Sequence, residues 1–221
     1  MDRYEVATLQ CQALCADVPL KAVVFDVGET LVDEERWWRH LADREGLQAH
    51  VVWAALGVTI ERGEEHTALW GHLGMEQPPS WWTEIPYALD DLYPDALGCL
   101  ARVRGLGLRV GIVGNQSEVL ESWARESALP SDVISSSASL GVRKPALEFF
   151  ERVVELMGCR PPEVAYVGDR VDNDVLPAAA AGLVAIHVRR GPWGRLQRTP
   201  PEAALGVDDL ASLPDALASL T

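Results

Sequence analysis

Asp26 ends a short apolar run, Ala22-Val23-Val24-Phe25, and is followed at once by Val27-Gly28-Glu29-Thr30. The run reads as a buried parallel strand, and the carboxyl ends of such strands are where open α/β sheets put their chemistry. A carboxylate there can be a nucleophile, a metal ligand or both. Three later stations have the same character. The apolar run Leu108–Val113 leads into Gly114-Asn115-Gln116-Ser117, and a helix starting there aims backbone N–H groups and a positive dipole end at the strand termini, as a phosphate requires. Gly141-Val142-Arg143-Lys144-Pro145 offers a lysine held by the following proline and helix start. Val164–Val167 delivers Gly168-Asp169-Arg170-Val171-Asp172-Asn173-Asp174, with Asp169 and Asp174 spaced to meet one cation.

Converging Asp26, Asp169 and Asp174 at one sheet edge would repel unless a divalent cation and a lysine offset them. Mg²⁺ suits the role, because it prefers oxygen ligands, keeps several waters and is shared with substrate phosphate. Lys144 would neutralise charge on both the nucleophile and the transferring group.

The elements that must position these residues alternate from Lys21 onward in the manner of βαβ units, which predicts an α/β fold with a doubly wound parallel sheet. The expected strands are Lys21–Val27, Leu108–Val113, Asp132–Ser135, Val164–Val167 and Val184–Val188. Pro94 opens a helix that Gly105 closes, with Leu97, Leu100 and Ala101 on its inner face. Pro145 opens another that Gly158 closes, with Phe149, Phe150, Val153, Val154 and Met157 inward. Asn115 with Glu118 has the spacing of a cap for a helix through Ala128. The rhythm breaks between Asp33 and Leu92, a stretch that reads as helices without strands and ends among Pro78, Pro79 and Pro86. It contains Trp37, Trp38, Trp53, Trp70, Trp81 and Trp82. These are read mainly as core fillers, with one of the adjacent pair Trp37 and Trp38 turned to a cleft. Residues 1–18 read as an extension, 19–32 and 93–221 as the core, and 33–92 as a helical unit over the strand ends, where a lid belongs.

Composition narrows the function. The net charge of -14 argues against nucleic acid as a partner, since phosphate backbones are bound with excess Lys and Arg. No apolar run reaches the length of a membrane span and no secretory signal is visible, so membrane partners are not expected. Cys11, Cys15, Cys99 and Cys159 form no paired framework, which makes a reducing cytoplasm the expected location. His40, His50, His66, His72 and His187 show no metal-ligand spacing and are read as structural. Arg189, Arg190, Arg195 and Arg198 surround Gly191-Pro192-Trp193-Gly194 and are read as a solvated loop, with an anchor for an anionic substrate or a partner as the alternative.

The ordered stations at Asp26, Gly114, Lys144 and Asp169–Asp174 resemble those of the haloacid dehalogenase-like hydrolase superfamily, over nearly the whole chain from Lys21 to about Leu220. The resemblance implies a Rossmann-like core with a small all-helical cap inserted after the first strand. It also implies a phosphatase of a small phosphorylated metabolite that works through an aspartyl-phosphate. By position Asp26 matches the nucleophile, Lys144 the motif lysine, and Thr30 the threonine that supports the loop. Gly114, Asn115 and Gly28 match phosphate or substrate contacts, and Asp26, Gly28, Asp169 and Asp174 the surroundings of Mg²⁺. The unit is expected to be a monomer or homodimer.

Two positions depart from the family pattern. Gly28 stands where the phosphatases usually carry a second aspartate as general acid and base, and Gly114 stands where a Ser or Thr usually meets the phosphate. Loss of a general acid/base costs about 10²–10⁴ in rate, roughly 3–5 kcal/mol of barrier. Glu29 is the adjacent carboxylate that could substitute. The alternatives are a degenerate, non-catalytic or weakly active member that binds a ligand, motivated by Gly28 and Gly114, and a 2-haloacid dehalogenase, which the acids at Asp169 and Asp174 argue against. A receiver domain is set aside by the inserted helical unit.

Overall fold

β1 (Ala22–Phe25) is fully buried and lies at the centre of the sheet, as its unbroken apolar sequence requires. The computed structural model describes residues 18–78 and 87–218. On one side of β1 lie β2 (Arg109–Gly114) and β3 (Val133–Ser136). On the other lie β4 (Val164–Gly168), β5 (Val184–Val188) and β6 (Leu205–Val207), giving the order β3-β2-β1-β4-β5-β6. Every pairing is parallel. Ala22 pairs with Arg109 and with Val164, and Phe25 with Ile112 and with Val167. That register lets Asp26, Gly114 and Asp169 leave the sheet close to one level. The chain reverses its direction of progress across the sheet at β1, so the crevice of a doubly wound fold opens above these ends.

The sheet is Rossmann-like, and the five expected strands are present with ends shifted by a few residues at most. β6 is additional to them. Its brief run, Leu205-Gly206-Val207, acquires strand geometry by pairing with Ile186–Val188.

The helices α1 (Glu35–Arg44), α2 (Ala49–Glu61) and α3 (Leu69–His72) follow β1, and α4 (Ala96–Gly105) returns the chain to β2. Next come α5 (Glu118–Glu126), α6 (Ser137–Leu140), α7 (Leu147–Met157), a π-helical turn at Val171–Val175 and α8 (Leu176–Ala180). α9 (Gly191–Leu196) and α10 (Leu213–Ala218) complete the described α-helices, and short 3-10 turns lie at His66–Ala68, Leu89–Asp91 and Pro161–Glu163. Two apolar clusters cover the two faces of the sheet. One contains Val23, Phe25, Leu100 and Ile112; the other contains Val24, Phe149, Phe150 and Tyr166.

Several local expectations are corrected. On α4 the buried stripe is Ala96, Cys99, Leu100 and Val103, while Leu97 is exposed and Ala101 also faces out. The i, i+3, i+4, i+7 spacing of that stripe is the one a helix presents to a core. On α7 the inward set holds, with Val154 only partly buried. α5 stops at Glu126, and its cap is Ser117, whose Oγ accepts from the Leu120 N–H, rather than Asn115.

Between β1 and α4 the described residues form helices. They have their own apolar cluster, in which Trp37, Trp38, Leu41, Leu56, Leu69 and Trp70 meet Trp193 from α9. Trp37 and Trp38 are therefore both buried, edge to face at 5.1 Å, and neither is turned to the cleft. Adjacent helical residues diverge by about 100°, but Trp193 comes from outside the helical segment and so walls off the second direction. Trp81, Trp82, Pro79, Pro86, Cys11, Cys15 and residues 1–17 lie outside the described residues. Among those described, Cys99 and Cys159 are free thiols, and no helix is long and apolar enough to cross a membrane.

Candidate active site at the strand ends

Lys144 is the anchor of the site. It is buried, with Nζ 2.8 Å from Asp26 Oδ1 and 2.6 Å from Asp174 Oδ1. Its ammonium lies 5.5 Å from the centre of the Tyr166 ring. The Lys144-Pro145 peptide is cis, and Asn115 clasps the lysine backbone on both sides. Lys144 N–H donates to Asn115 Oδ1 at 2.8 Å, and Asn115 Nδ2 donates to the Lys144 carbonyl at 3.1 Å. The Asn115 amide is thus spent on holding the lysine, although the residue also borders the cavity. Burial works against the Lys144 ammonium, yet Asp174 and Asp26 hold its pKa well above the ordinary lysine value.

Asp174 is fully buried and uses both oxygens on protein donors, Oδ1 on Lys144 and Oδ2 on the Arg170 N–H at 2.9 Å. Asp169 differs. Among the described residues its carboxylate has no hydrogen bond or ion pair, although the residue is buried. What holds the residue is its backbone, whose carbonyl accepts from His187 Nε2 at 3.0 Å. A carbonyl only accepts, so Nε2 carries the proton; burial keeps the ring neutral, and Nδ1 then accepts from Thr199 Oγ1 at 2.7 Å. Burial pushes the Asp169 carboxyl well above the usual range, reinforced by Asp174 and Asp26. Burial also pushes Asp26 up to about 6 against the pull of Lys144.

One oxygen from each of Asp26, Asp169 and Asp174 lies within 4.8 Å of the others, so the three could hold a metal ion. The donor set is all carboxylate, which selects a hard cation. The unpaired buried Asp169 carboxylate is the group that such a cation would satisfy.

Above these residues lies a cavity of about 750 Å³. Asp26, Gly28, Lys144 and Asp169 border it from the sheet side, and His66, Thr67 and Gln77 border it from the helical segment. Gln116 also borders it, largely buried, with an Oε1 that has no protein partner among the described residues. Nothing in the spacing of Gln116 or His66 separates them from ordinary loop residues, so sequence reasoning misses both as cavity residues. Thr30 is fully buried and does not border the cavity. It sits in the turn where Thr30 N–H reaches the Val27 carbonyl at 3.3 Å.

Both unusual glycines are explained by close approach. A Cβ on Gly114 would overlap Asp26 Oδ1 and lie 3.5 Å from Asp26 Cγ, so the bare strand end leaves room for the carboxylate. A Cβ on Gly28 would overlap Glu34 Oε1 and lie 2.9 Å from Glu34 Cδ. Glu29 is directed elsewhere. Its backbone is left-handed (φ 52°), its Oε2 accepts from Tyr93 O–H at 2.6 Å, and Gly191 closes against it. Burial raises Glu29 to about 8 and Glu34 to about 7.

The Arg-rich loop is solvated at Arg195 and Arg198 and tied into the fold at Arg190. Arg190 is buried, forks onto Asp95 at 3.0 and 2.9 Å, and stacks 4.2 Å from the Tyr93 ring. Arg189 forks onto Asp208 at 2.9 Å, and Arg195 approaches the same carboxylate at 3.6 Å. Arg189 and Arg195 thus share a single carboxylate.

The model of the haloacid dehalogenase-like hydrolases matches residues 20–182. The chain belongs to that family. It is 28% identical over 204 residues to glyceraldehyde 3-phosphate phosphatase of Methanopyrus kandleri, covering 79% of this chain and 86% of that one. It is also 32% identical over 114 residues to the protein of the same name from Methanocaldococcus jannaschii, where the match spans about half of each chain (49%). The structure of L-2-haloacid dehalogenase from Xanthobacter autotrophicus superposes with a TM-score of 0.66 at 22% identity, over 91% of this chain and all of that one. This haloacid dehalogenase-like hydrolase therefore shares its fold with a dehalogenase, and the fold by itself does not choose the reaction.

Proposed function

We propose that this hydrolase cleaves phosphate monoesters of small metabolites, with Asp26 as nucleophile and an aspartyl-phosphate as intermediate. The observation that carries the reading is the convergence of Asp26, Lys144 and the unpaired Asp169 beneath one cavity. The relatives named as glyceraldehyde 3-phosphate phosphatases support the substrate class. The acidic chain supports a small molecule rather than nucleic acid as partner. Free Cys99 and Cys159 are in keeping with a reducing cytoplasm.

In this reading Asp26 and Asp169, with Asp174 beside them and the main chain of Gly28, would hold Mg²⁺. The ion would supply charge neutralisation for the phosphoryl oxygens. Lys144 holds the Asp26 carboxylate in place and offers positive charge beside the transferring group. Asp174 orients Lys144. Gly114 clears the space that Asp26 needs, and Gln116 and Ser117 offer hydrogen bonds at the cavity wall. Thr30 supports the turn from behind. Residues 33–92 act as the cap that encloses the substrate, with the core in 19–32 and 93–221.

The test is release of p-nitrophenol from p-nitrophenyl phosphate, with Mg²⁺ or with EDTA, by the wild type and by Asp26→Asn. Magnesium-dependent turnover that is lost in the variant is the expected result. Gly28 and Gly114 favour a second reading, a binding protein without turnover. Binding of Mg²⁺ and phosphate with no p-nitrophenol release would establish that one instead. Halide release that survives EDTA would point to a dehalogenase.

A further inference from the structure

Position 28 has no side chain, yet its place beside Asp26 is not vacant. Glu34 precedes α1 on the segment that folds back from the Gly28 turn, which a bridge between Gly28 and Val32 closes. Its carboxylate enters the volume that a side chain on residue 28 would take, with Oε1 close enough to overlap a Cβ there and Cδ 2.9 Å from it. Glu34 is 5% exposed, and that remaining surface borders the same cavity as Asp26 and Lys144.

We propose that Glu34 is the carboxyl group that exchanges protons with the reacting oxygens, supplied from the start of the helical segment in place of a side chain at position 28. The proposal rests on the phosphatase reading above and assigns a residue to its missing step.

The ordinary employments of an acid at this position are filled by others or left undone. Glu34 is the N-cap residue of α1 but makes no side-chain capping bond. Asp33 does that work instead, with Oδ1 accepting from the Glu35 N–H at 2.8 Å. No ion pair reaches Glu34 among the described residues. Its carboxylate accepts from a neutral donor, the Tyr87 hydroxyl, at Oε1 and 2.6 Å. That hydroxyl does not cancel its charge. The backbone around it is fixed from both sides. Val32 bridges to Leu92, Asp33 N–H donates to the Asp91 carbonyl at 2.8 Å, and Arg36 binds the Asp91 carboxylate at 2.6 Å. The carboxylate is thus a positioned group on a braced segment. Glu29, the alternative, is turned onto Tyr93 and Gly191.

The chemistry balances without another reactant. An Asp26 oxygen bonds to phosphorus, the bond from phosphorus to the leaving oxygen breaks, and that oxygen keeps the electron pair and takes the Glu34 proton. Glu34, now a carboxylate, removes a proton from water as the water oxygen attacks phosphorus. The bond from phosphorus to Asp26 breaks, and orthophosphate leaves.

The experiment compares wild type, Glu34→Gln, Glu34→Ala and a double variant that combines Gly28→Asp with Glu34→Ala, with Mg²⁺ present. Two probes are used: glycerol phosphate, a poor leaving group, and p-nitrophenyl phosphate, a good one. Glu34→Gln is expected to lose about 10²–10⁴ in kcat on glycerol phosphate and distinctly less in the release of the first p-nitrophenol. Stalled hydrolysis should then leave a phosphoryl adduct on the Asp26 peptide, read by mass spectrometry. Gly28→Asp in the Glu34→Ala background is expected to recover at least tenfold, because removing the Glu34 carboxylate vacates the volume that the introduced aspartate fills. Glu35→Gln, at an exposed neighbour paired with Arg39, should leave both rates unchanged. Equal losses on the two probes with no recovery in the double variant would overturn the proposal and make Glu34 a brace of the segment. So would unchanged rates in Glu34→Gln. A wild type that turns over neither probe would sink the phosphatase reading itself, a result distinct from either of these.

Discussion

Lys144 and Asp174 form a buried ion pair, Nζ to Oδ1 at 2.6 Å, that determines where the reactive end of Asp26 can lie. Asp174 is itself fixed by the Arg170 N–H, and Gly168 packs so closely on it that a Cβ there would overlap its carboxylate. Lys144 therefore reaches Asp26 from a rigid base. Removing one partner of a buried pair leaves the other charge uncompensated, at a cost of about 3–5 kcal/mol. Lys144→Met is expected to lose that much stability in urea unfolding at pH 7. It should also abolish turnover even where Mg²⁺ is saturating.

Asp169 should behave in the opposite sense. Its carboxylate is buried with no donor of its own among the described residues, and burial holds its pKa well above the usual range. Such a group is maintained at a cost to the fold. Asp169→Asn, measured in EDTA, is expected to raise unfolding stability by about 1–3 kcal/mol. The same variant should lose the increase in Tm that Mg²⁺ gives the wild type. A lower Tm in EDTA would mean that the carboxylate has a stabilising partner after all.

The strand ends are legible in the sequence because apolar runs and their acidic termini are local features. Asp26, Lys144, Asp169 and Asp174 can be named from spacing, and they meet as that spacing requires. What depends on two distant segments is not legible. Glu34 is one of three consecutive acids, Asp33-Glu34-Glu35, and only the return of the chain at Val32 selects it to enter the Gly28 space. The burial of both Trp37 and Trp38 needs Trp193, which lies far along the chain. The pairing of Arg190 and Arg189 needs Asp95 and Asp208, which lie on other segments. β6 is too short to announce itself without its partner strand.

Gly114 yields a prediction that runs against family habit. A serine there would restore the hydroxyl of the family pattern, but its Cβ would overlap Asp26 Oδ1 and sit 3.5 Å from the Val27 backbone nitrogen. Asp26 cannot simply swing aside, because Lys144 holds it at 2.8 Å. Gly114→Ser is expected to cost about 1–3 kcal/mol through overpacking and to lower kcat rather than raise it. Urea titration and turnover of p-nitrophenyl phosphate check the two parts. A more active variant would show that the Asp26 carboxylate moves freely.

His66, at the cavity wall, gives the pH dependence of stability a sign. Burial lowers its pKa from 6.5 to about 4, helped by the nearby charges of Arg170 and Arg143. Between those values the unfolded chain binds a proton that the folded chain refuses, so stability falls as pH drops through this window. The slope contributed by one such group approaches about 1.4 kcal/mol per pH unit midway between the two values. His66→Gln removes the titration. Urea unfolding of both proteins at pH 7, 6 and 5 should therefore give curves that diverge on acidification, with the variant losing less. Buried carboxylates such as Asp26 titrate in both proteins and cancel in the difference. Parallel curves would mean that His66 protonates as readily in the folded chain as in water, and that the cavity wall is wetter than its burial implies.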